Sequence, residues 1–576
     1  MPVFVRPDLP KKRHSGWIDL FVLIAIVGLF YLLVHLGREM GAPLNEALGP
    51  SLSLEPIYLP YYAARSLLRM IIALVLSFIF TVVYGYIAAY VPGADKILIP
   101  LLDVLQSVPV LGFLSVSLTG FMALFPGSML GVELASIFAI FTSQVWNMTF
   151  SFYYSLRSIP RDLREASAVY GLNWWRRLTG VELPFAAIPL VWNTMMSFGG
   201  GWFFLAASEA ISVLGQDIRL PGLGSYLATA IGEGNMPALF YALFTMAVLI
   251  VLVDQVFWRP LVAWSQRFKL EETAGGDRPT SWLLEILRRS LVLNWLGEHV
   301  LRPLEEGLER LLAPPRAGVY RSKRVPSYRW AKWIVPGAAG LLFLFLLPYA
   351  RTGLALIASL GPAELLHVVV LGFYTLLRTS AAVLLGALWT VPVGVAIGLN
   401  PRLNQIAQPL TQIAASFPAN MLFPFFGLLY LRYGLSFELG AIPLMMLGTQ
   451  WYILFNVIAG ASALPSDLKE AAVILKLSRW DTWRVLILPG ILRALVTGGV
   501  TAAGGAWNAS IVAEVLDLKG RELIASGLGA YITQATRAGN WGQIIWGILV
   551  MSLFVVTVNR LFWRRLYRLA EEKYSF

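Results

Sequence analysis

Acidic residues recur in this chain at a fixed spacing, and they do so twice. Asp162 and Glu165 stand three residues apart within the polar stretch 158–184, and Asp467 and Glu470 stand the same way within 463–489. An acid followed three residues later by Glu is the Asp form of a helix capping box, and both carboxylates suit the positive end of a helix. The chemistry this predicts is ionic docking by a short exposed helix rather than catalysis. Glu209 and Glu514 are a second matched pair, each seven residues after a tryptophan, Trp202 or Trp507. An ionisable residue at membrane depth is costly and functional by default. The alternative is that each lies at a helix end in water and supports the Gly-Leu-Gly turn that follows. Gln144, Asn147, Gln450, Asn456 and Asn508 complete the polar groups set among apolar runs. Together with Trp202, Glu209, Trp507 and Glu514 they are nine candidates for a solute pathway, and the amides are candidates also for helix–helix hydrogen bonds. The four histidines are scattered and suggest no metal site, and there is no cysteine to act as ligand or nucleophile. No Gly-x-x-x-x-Gly-Lys-Ser/Thr phosphate loop is present, so ATP is not bound here in the usual way.

The elements that must position these groups are membrane helices. The chain of 576 residues is 57% hydrophobic and 14% charged, with a mean hydropathy of +0.67. Its apolar runs approach the ~20 residues needed to cross a bilayer, and they are continuous rather than alternating. This predicts an all-α polytopic membrane protein with about twelve spans. The net charge of +12 sits between the apolar runs, where it orients the chain and faces anionic lipid; it is not a nucleic-acid signal. The first half yields spans near 17–36, 61–91, from 97, 130–148, 184–207 and 238–258. Counting spans places the stretch 158–184 and both termini in the cytoplasm, and Arg157, Arg161, Arg164, Arg176 and Arg177 agree with that side.

Self-comparison decides the architecture. Pro160, Asp162, Glu165, Ala166, Trp175 and Pro184 return as Pro465, Asp467, Glu470, Ala471, Trp480 and Pro489, all offset by 305 (465 minus 160). Upstream, Arg69, Thr81, Pro100 and Pro109 return as Arg378, Thr390, Pro409 and Pro418, offset by 309 (378 minus 69). Two halves with an even number of spans insert in the same direction, giving parallel six-helix repeats about an axis normal to the membrane. The expected division is a first half, 1–260 (repeat 61–259), a linker, 261–330, and a second half, 331–576 (repeat 370–564). Within the linker, Trp282 to Leu312 has leucines at helical spacing, as expected of an amphipathic helix on the membrane surface or on a partner.

Glu165-Ala166-Ser167, Gly171, Val181 and Leu183-Pro184 resemble the Glu-Ala-Ala…Gly…Leu-Pro loop signature of ABC importer membrane subunits. Glu470-Ala471-Ala472, Leu486 and Leu488-Pro489 match it again, with Lys476 where the family has glycine. The chain is most similar to the nitrate/sulfonate/taurine/bicarbonate branch. The resemblance implies a type I importer fold in a bacterial cytoplasmic membrane, with Asp162, Glu165, Ala166, Gly171, Asp467, Glu470, Ala471 and Lys476 in two ATPase-coupling loops. It implies two separate ATPase subunits carrying ATP and Mg, a periplasmic or lipid-anchored binding protein, and no cofactor on this chain. Asymmetry between the loops is expected at Gly171 and Lys476. The rivals are an ion-coupled secondary carrier and a membrane-embedded enzyme. The parallel repeat and paired loops stand against the first, and the lack of a clustered acid, His or Ser constellation against the second.

Overall fold

The computed structural model describes residues 16–43, 52–106, 108–213, 216–268, 281–312, 331–518 and 521–573. The basic start Lys11-Lys12-Arg13 and the Gly275-Gly276 and Pro314-Pro315 breaks of the linker lie outside the described residues. The first half runs α1 Gly16–Met40, α2 Leu59–Tyr90, α3 Asp95–Leu105, α4 Leu114–Leu124, α5 Met129–Ser158, α6 Arg161–Val169, α7 Trp174–Arg177 and α8 Leu183–Glu209. A hairpin of β1 Ala210–Val213 and β2 Gln216–Arg219 follows, then α9 Leu223–Glu233, α10 Met236–Val253 and α11 Arg259–Ser265. The linker forms α12 Trp282–Arg289, α13 Leu291–Leu296 and α14 Arg302–Leu312. The second half repeats the order as α15 Ala331–Ala358, α16 Pro362–Leu399, α17 Pro401–Ser416, α18 Phe423–Tyr433, α19 Phe437–Ser462, α20 Ser466–Ile474, α21 Arg479–Thr482 and α22 Leu488–Ala513. It closes with β3 Val515–Leu518, β4 Arg521–Ile524, α23 Leu528–Ala538, α24 Trp541–Val558 and α25 Arg564–Lys573.

The class is all-α and polytopic, with two small antiparallel hairpins in register Ala210↔Arg219 and Val515↔Ile524. Among the described residues, eight helical stretches are long and apolar enough to cross a membrane, or nine if the bent pair α17–α18 is one span. The remaining members of the expected set of about twelve are not straight apolar rods. Pro109 and Pro418 each break a span into two short helices, because proline removes a helical N–H and pushes the preceding residue to extended backbone. The second-half break bends the chain by 75°. α8 is long, but Asn193, Thr194, Ser197 and Gly199-Gly200-Gly201 dilute its apolar middle.

The halves lie in parallel. Each hairpin touches the other half's following helix, β1 against α23 and β3 against α9. The breaks cross over as well: Val110 N–H donates to Asn508 Oδ1 at 2.8 Å, and Asn420 Nδ2 donates to the Phe203 carbonyl at 3.2 Å. Phe203 and Asn508 are equivalent by the 305 offset, so α8 and α22 meet at equal depth. Each of these helices runs from a polar loop at one end of the molecule to a hairpin about 40 Å away.

The linker is broken at Ser290 rather than being one helix. Asp19, in the first turn of α1, holds the break by accepting from Ser290 Oγ (2.9 Å) and from the backbone N–H of Leu291 (2.7 Å). Leu283 is buried, while Trp282, Leu291, Trp295 and Leu304 stay exposed.

Candidate functional site

The two loop helices are built alike. Asp162 and Asp467 are not the N-caps, which are Pro160 and Pro465 and make no side-chain capping bond. The capping box expected from the sequence is absent because proline's fixed φ already sets the helix entry, so each acid lies inside the first turn and acts on the helix end through space. Asp162, Glu165, Asp467 and Glu470 are exposed, with Ala166 and Ala471 half-buried beside them. The far ends present Val169 and Tyr170 in one loop and Val473, Ile474 and Leu475 in the other, all at least 70% exposed. Apolar side chains standing clear on a polar loop mark an interaction surface.

Both helices also end alike. Gly171 has φ 61° and Lys476 φ 51°, and each is followed by the bond that closes the final turn, Leu172 N–H to Ser167 O (3.0 Å) and Leu477 N–H to Ala472 O (3.1 Å). At this position the loops therefore differ in side chain and not in backbone. A larger difference lies further on. In the first loop Arg176 pairs with Glu309 of the linker at 2.6 Å, and Arg177 pairs with Glu182 at 2.7 Å. The corresponding Asp481 of the second loop instead meets Ser478 within its own turn.

Glu209 and Glu514 lie at the hairpin ends of α8 and α22, fully buried. Each joins a cluster that ties together the helices of its half. Arg69 donates to Glu133 Oε2 (2.5 Å) and to Glu209 Oε1 (2.6 Å), Arg65 donates to Glu133 Oε1 (2.5 Å), and Ser66 Oγ donates to Glu209 (2.6 Å). In the second half Arg378 bridges Glu514 at 3.1 Å and Glu438, and Thr375 Oγ1 donates to Glu514 at 2.8 Å. The Gly-Leu-Gly turn closes the cage: Gly224 N–H donates to Glu209 (2.7 Å) and Gly529 N–H to Glu514 (2.8 Å). A Cβ on Gly222 or Gly527 would fall 2.3 Å from the carboxylate, so glycine is required there. The partners Glu133 and Glu438 were not singled out in the sequence. Their signal was an acid at the start of an otherwise apolar helix.

Between the halves lies a cavity of about 40 Å3, adjoined by another of about 20 Å3. Gly199, Gly200 and Phe203 of α8 form one wall, and Trp451, Tyr452 and Asn508 of the second half form the other. Of the nine residues proposed for a pathway, Asn508 lines this space. Asn147 lines an open groove of about 440 Å3 nearer the loops, with Ser151 and Asn193. Asn456 bonds the Tyr452 carbonyl at 2.8 Å, and Gln450 accepts from Trp389 Nε1 at 3.0 Å. Gln144 is buried behind Gly201, and its amide makes no hydrogen bond among the described residues. Trp202 is packed in the core of the first half, and Trp507 in a cluster shared by both halves, with Val110, Leu111 and Leu114. Glu209 and Glu514 are absent from the cavity wall. The aromatic wall of Trp451 and Tyr452 went unread in the sequence, because an apolar helix does not reveal which face meets a second domain.

Comparison with known proteins follows the same duplication. The family model described as "Binding-protein-dependent transport system inner membrane component" matches residues 81–257 and again 382–574. The chain is similar to the nitrate import permease protein NrtB of Synechococcus elongatus, 28% identical over 190 residues, 32% of this chain and 64% of that protein. It is 25% identical over 186 residues (32% and 64%) to the bicarbonate transport system permease protein CmpB of the same species. It is 26% identical over 179 residues (31% and 62%) to the taurine transport system permease protein TauC of Escherichia coli. Each alignment spans less than two thirds of the relative's length.

Proposed function

Since this chain belongs to the family of binding-protein-dependent transport system inner membrane components and carries that domain twice, we propose that it supplies both halves of the membrane pathway of an ATP-driven importer for a small anion. The observation that carries this reading is a pair of like-built, exposed loop helices at one end of the molecule, with a small cavity between the halves above them. Each loop helix docks into one of two separate ATPase subunits, which bind the ATP and Mg. Glu165 and Glu470 supply charge to that contact, and Val169, Tyr170, Val473 and Ile474 supply apolar area. A periplasmic or lipid-anchored binding protein delivers solute at the hairpin end, and the loops face the cytoplasm of a bacterial inner membrane. The relatives named for nitrate and bicarbonate favour an anionic cargo, and the one named for taurine, a zwitterion, shares an oxyanion group with them.

The geometry fits alternating access. The hairpin end is held shut by β1 against α23 and β3 against α9, and the two loop helices stand exposed at the other end. Closure of the two ATPases on ATP moves α6 and α20 toward each other. The rigid helices α8 and α22, continuous with the loops through Leu178–Glu182 and Trp483–Ile487, carry that motion to the hairpin end.

Vesicles holding this chain, its ATPase and its binding protein should take up nitrate, bicarbonate or taurine only with ATP. Uptake driven by an ion gradient through this chain alone would overturn the reading. Glu165→Lys with Glu470→Lys should cut co-purification of the ATPase about tenfold, equivalent to roughly 1.4 kcal/mol of docking.

A further inference from the structure

The space between the halves has a size and a chemistry that select its occupant. We infer that the cavity walled by Gly199, Gly200, Trp451, Tyr452 and Asn508 is a selectivity site for a small planar oxyanion, held by neutral hydrogen-bond donors, and that Tyr452 and Gly200 set its size limit. The inference rests on the transport reading above and narrows it.

Size comes first. The cavity holds about 40 Å3, and its neighbour, sharing Gly199, Gly200, Trp451 and Tyr452, about 20 Å3. A water needs roughly 10–15 Å3 of such space, so the larger cavity has room for about three waters, close to the size of an ion of four heavy atoms. Nitrate and bicarbonate fit that limit, whereas taurine carries a sulfonate and an aminoethyl arm beyond it. The limit is set by close contacts. A Cβ at Gly200 would sit 2.9 Å from the Tyr452 hydroxyl, and one at Gly199 would sit 2.8 Å from Ser416 Oγ. The glycines thus leave the space that the tyrosine and serine would otherwise meet.

Chemistry comes second. Among the described residues, no Lys, Arg, His, Asp or Glu lines either space. The smaller space offers the Gln412 amide and the Ser416 hydroxyl, and the larger offers the Tyr452 hydroxyl, the Trp451 indole and the amide of Asn508. That amide is held in place because its Oδ1 accepts from Val110 N–H at 2.8 Å and its Nδ2 donates to the Gly504 carbonyl at 3.2 Å. A fixed cation would trap an anion. Neutral donors and positive aromatic edges bind it weakly enough to release it, which a pathway requires. The buried Arg residues of the two clusters are spent on carboxylates and are not available here.

The test is thermal unfolding of the full chain in detergent with nitrate or bicarbonate, each against chloride at equal ionic strength, and with taurine, a net-neutral zwitterion, added at the same concentration to the chloride buffer. Nitrate and bicarbonate should raise the midpoint of the wild type, and taurine should not. Gly200→Ser, which fills the space, should abolish the nitrate shift. Tyr452→Phe keeps the ring but removes a donor, and should reduce the shift at least twofold. Tyr452→Ala should gain a shift with taurine. Equal shifts with taurine and nitrate in the wild type, or a full nitrate shift in both Gly200→Ser and Tyr452→Phe, would overturn the inference. Because no ATPase is present, failure here is separate from failure of ATP-driven uptake.

Discussion

Lys476 occupies left-handed backbone, φ 51°, that its counterpart Gly171 adopts at φ 61°. A side chain in this region costs about 1–2 kcal/mol, and glycine avoids that cost but loses more freedom on folding. Lys476→Gly is therefore expected to stabilise the protein by up to about 1 kcal/mol and to leave ATPase docking intact, while Gly171→Ala should destabilise it by about 1 kcal/mol. Chemical unfolding in detergent, with ATPase co-purification alongside, checks both. The sequence showed the substitution but not its outcome. The closing bond to residue 472 holds lysine in the glycine geometry, and tertiary context of that kind leaves no mark on residue identity.

The helices of each half are pinned near the hairpin end by buried charge, and the two pins differ. In the first half Arg69, Glu133 and Glu209 are all buried, whereas Glu438 in the second half leaves 46% of its side chain exposed. Removing one partner from a fully buried set strands the others without water, at a cost of about 3–5 kcal/mol. Arg69→Leu and Arg378→Leu should accordingly each abolish stable expression or lower stability by that amount, because each strands a fully buried carboxylate, Glu209 or Glu514, while Glu133 keeps Arg65 and Glu438 can be hydrated. Fluorescence-detected size exclusion and unfolding of the two variants check both losses. The duplicated acids Glu209 and Glu514, the arginines and the Gly-Leu-Gly turns were all legible in the sequence. Their assembly into one cage was not, since helix periodicity gives a face and not a partner. The two hairpins were missed for a related reason: four-residue strands beside a turn carry too little pattern to stand out from a loop.

At the scale of the whole molecule, the contact between halves is testable. A Cβ at Gly199 would lie 3.6 Å from the Ser416 Cβ, within the separation a disulfide spans. The chain has no cysteine of its own, so Gly199→Cys with Ser416→Cys gives a single defined bridge. With a protease site inserted near Gly275, the cut halves should migrate together on a non-reducing gel and apart after reduction. ATP-driven uptake should stop on oxidation and recover with reductant. The duplication, the parallel orientation and the polar loops were readable from spacing alone. The count of straight spans was not, because a proline in an apolar run can kink a helix or divide it, and α3–α4 and α17–α18 divide.

The cavity walls carry a consequence for how such a protein can change. In a dimer of identical subunits, any residue placed near the axis is placed twice, so a tyrosine facing a glycine would recur on the opposite side and a change to either would act at both. Here Gly200 comes from one half and Tyr452 from the other. Joining the halves in a single chain frees each wall to mutate alone, so the cargo can be retuned by one substitution on one side while the opposite wall, and both docking loops, stay as they are.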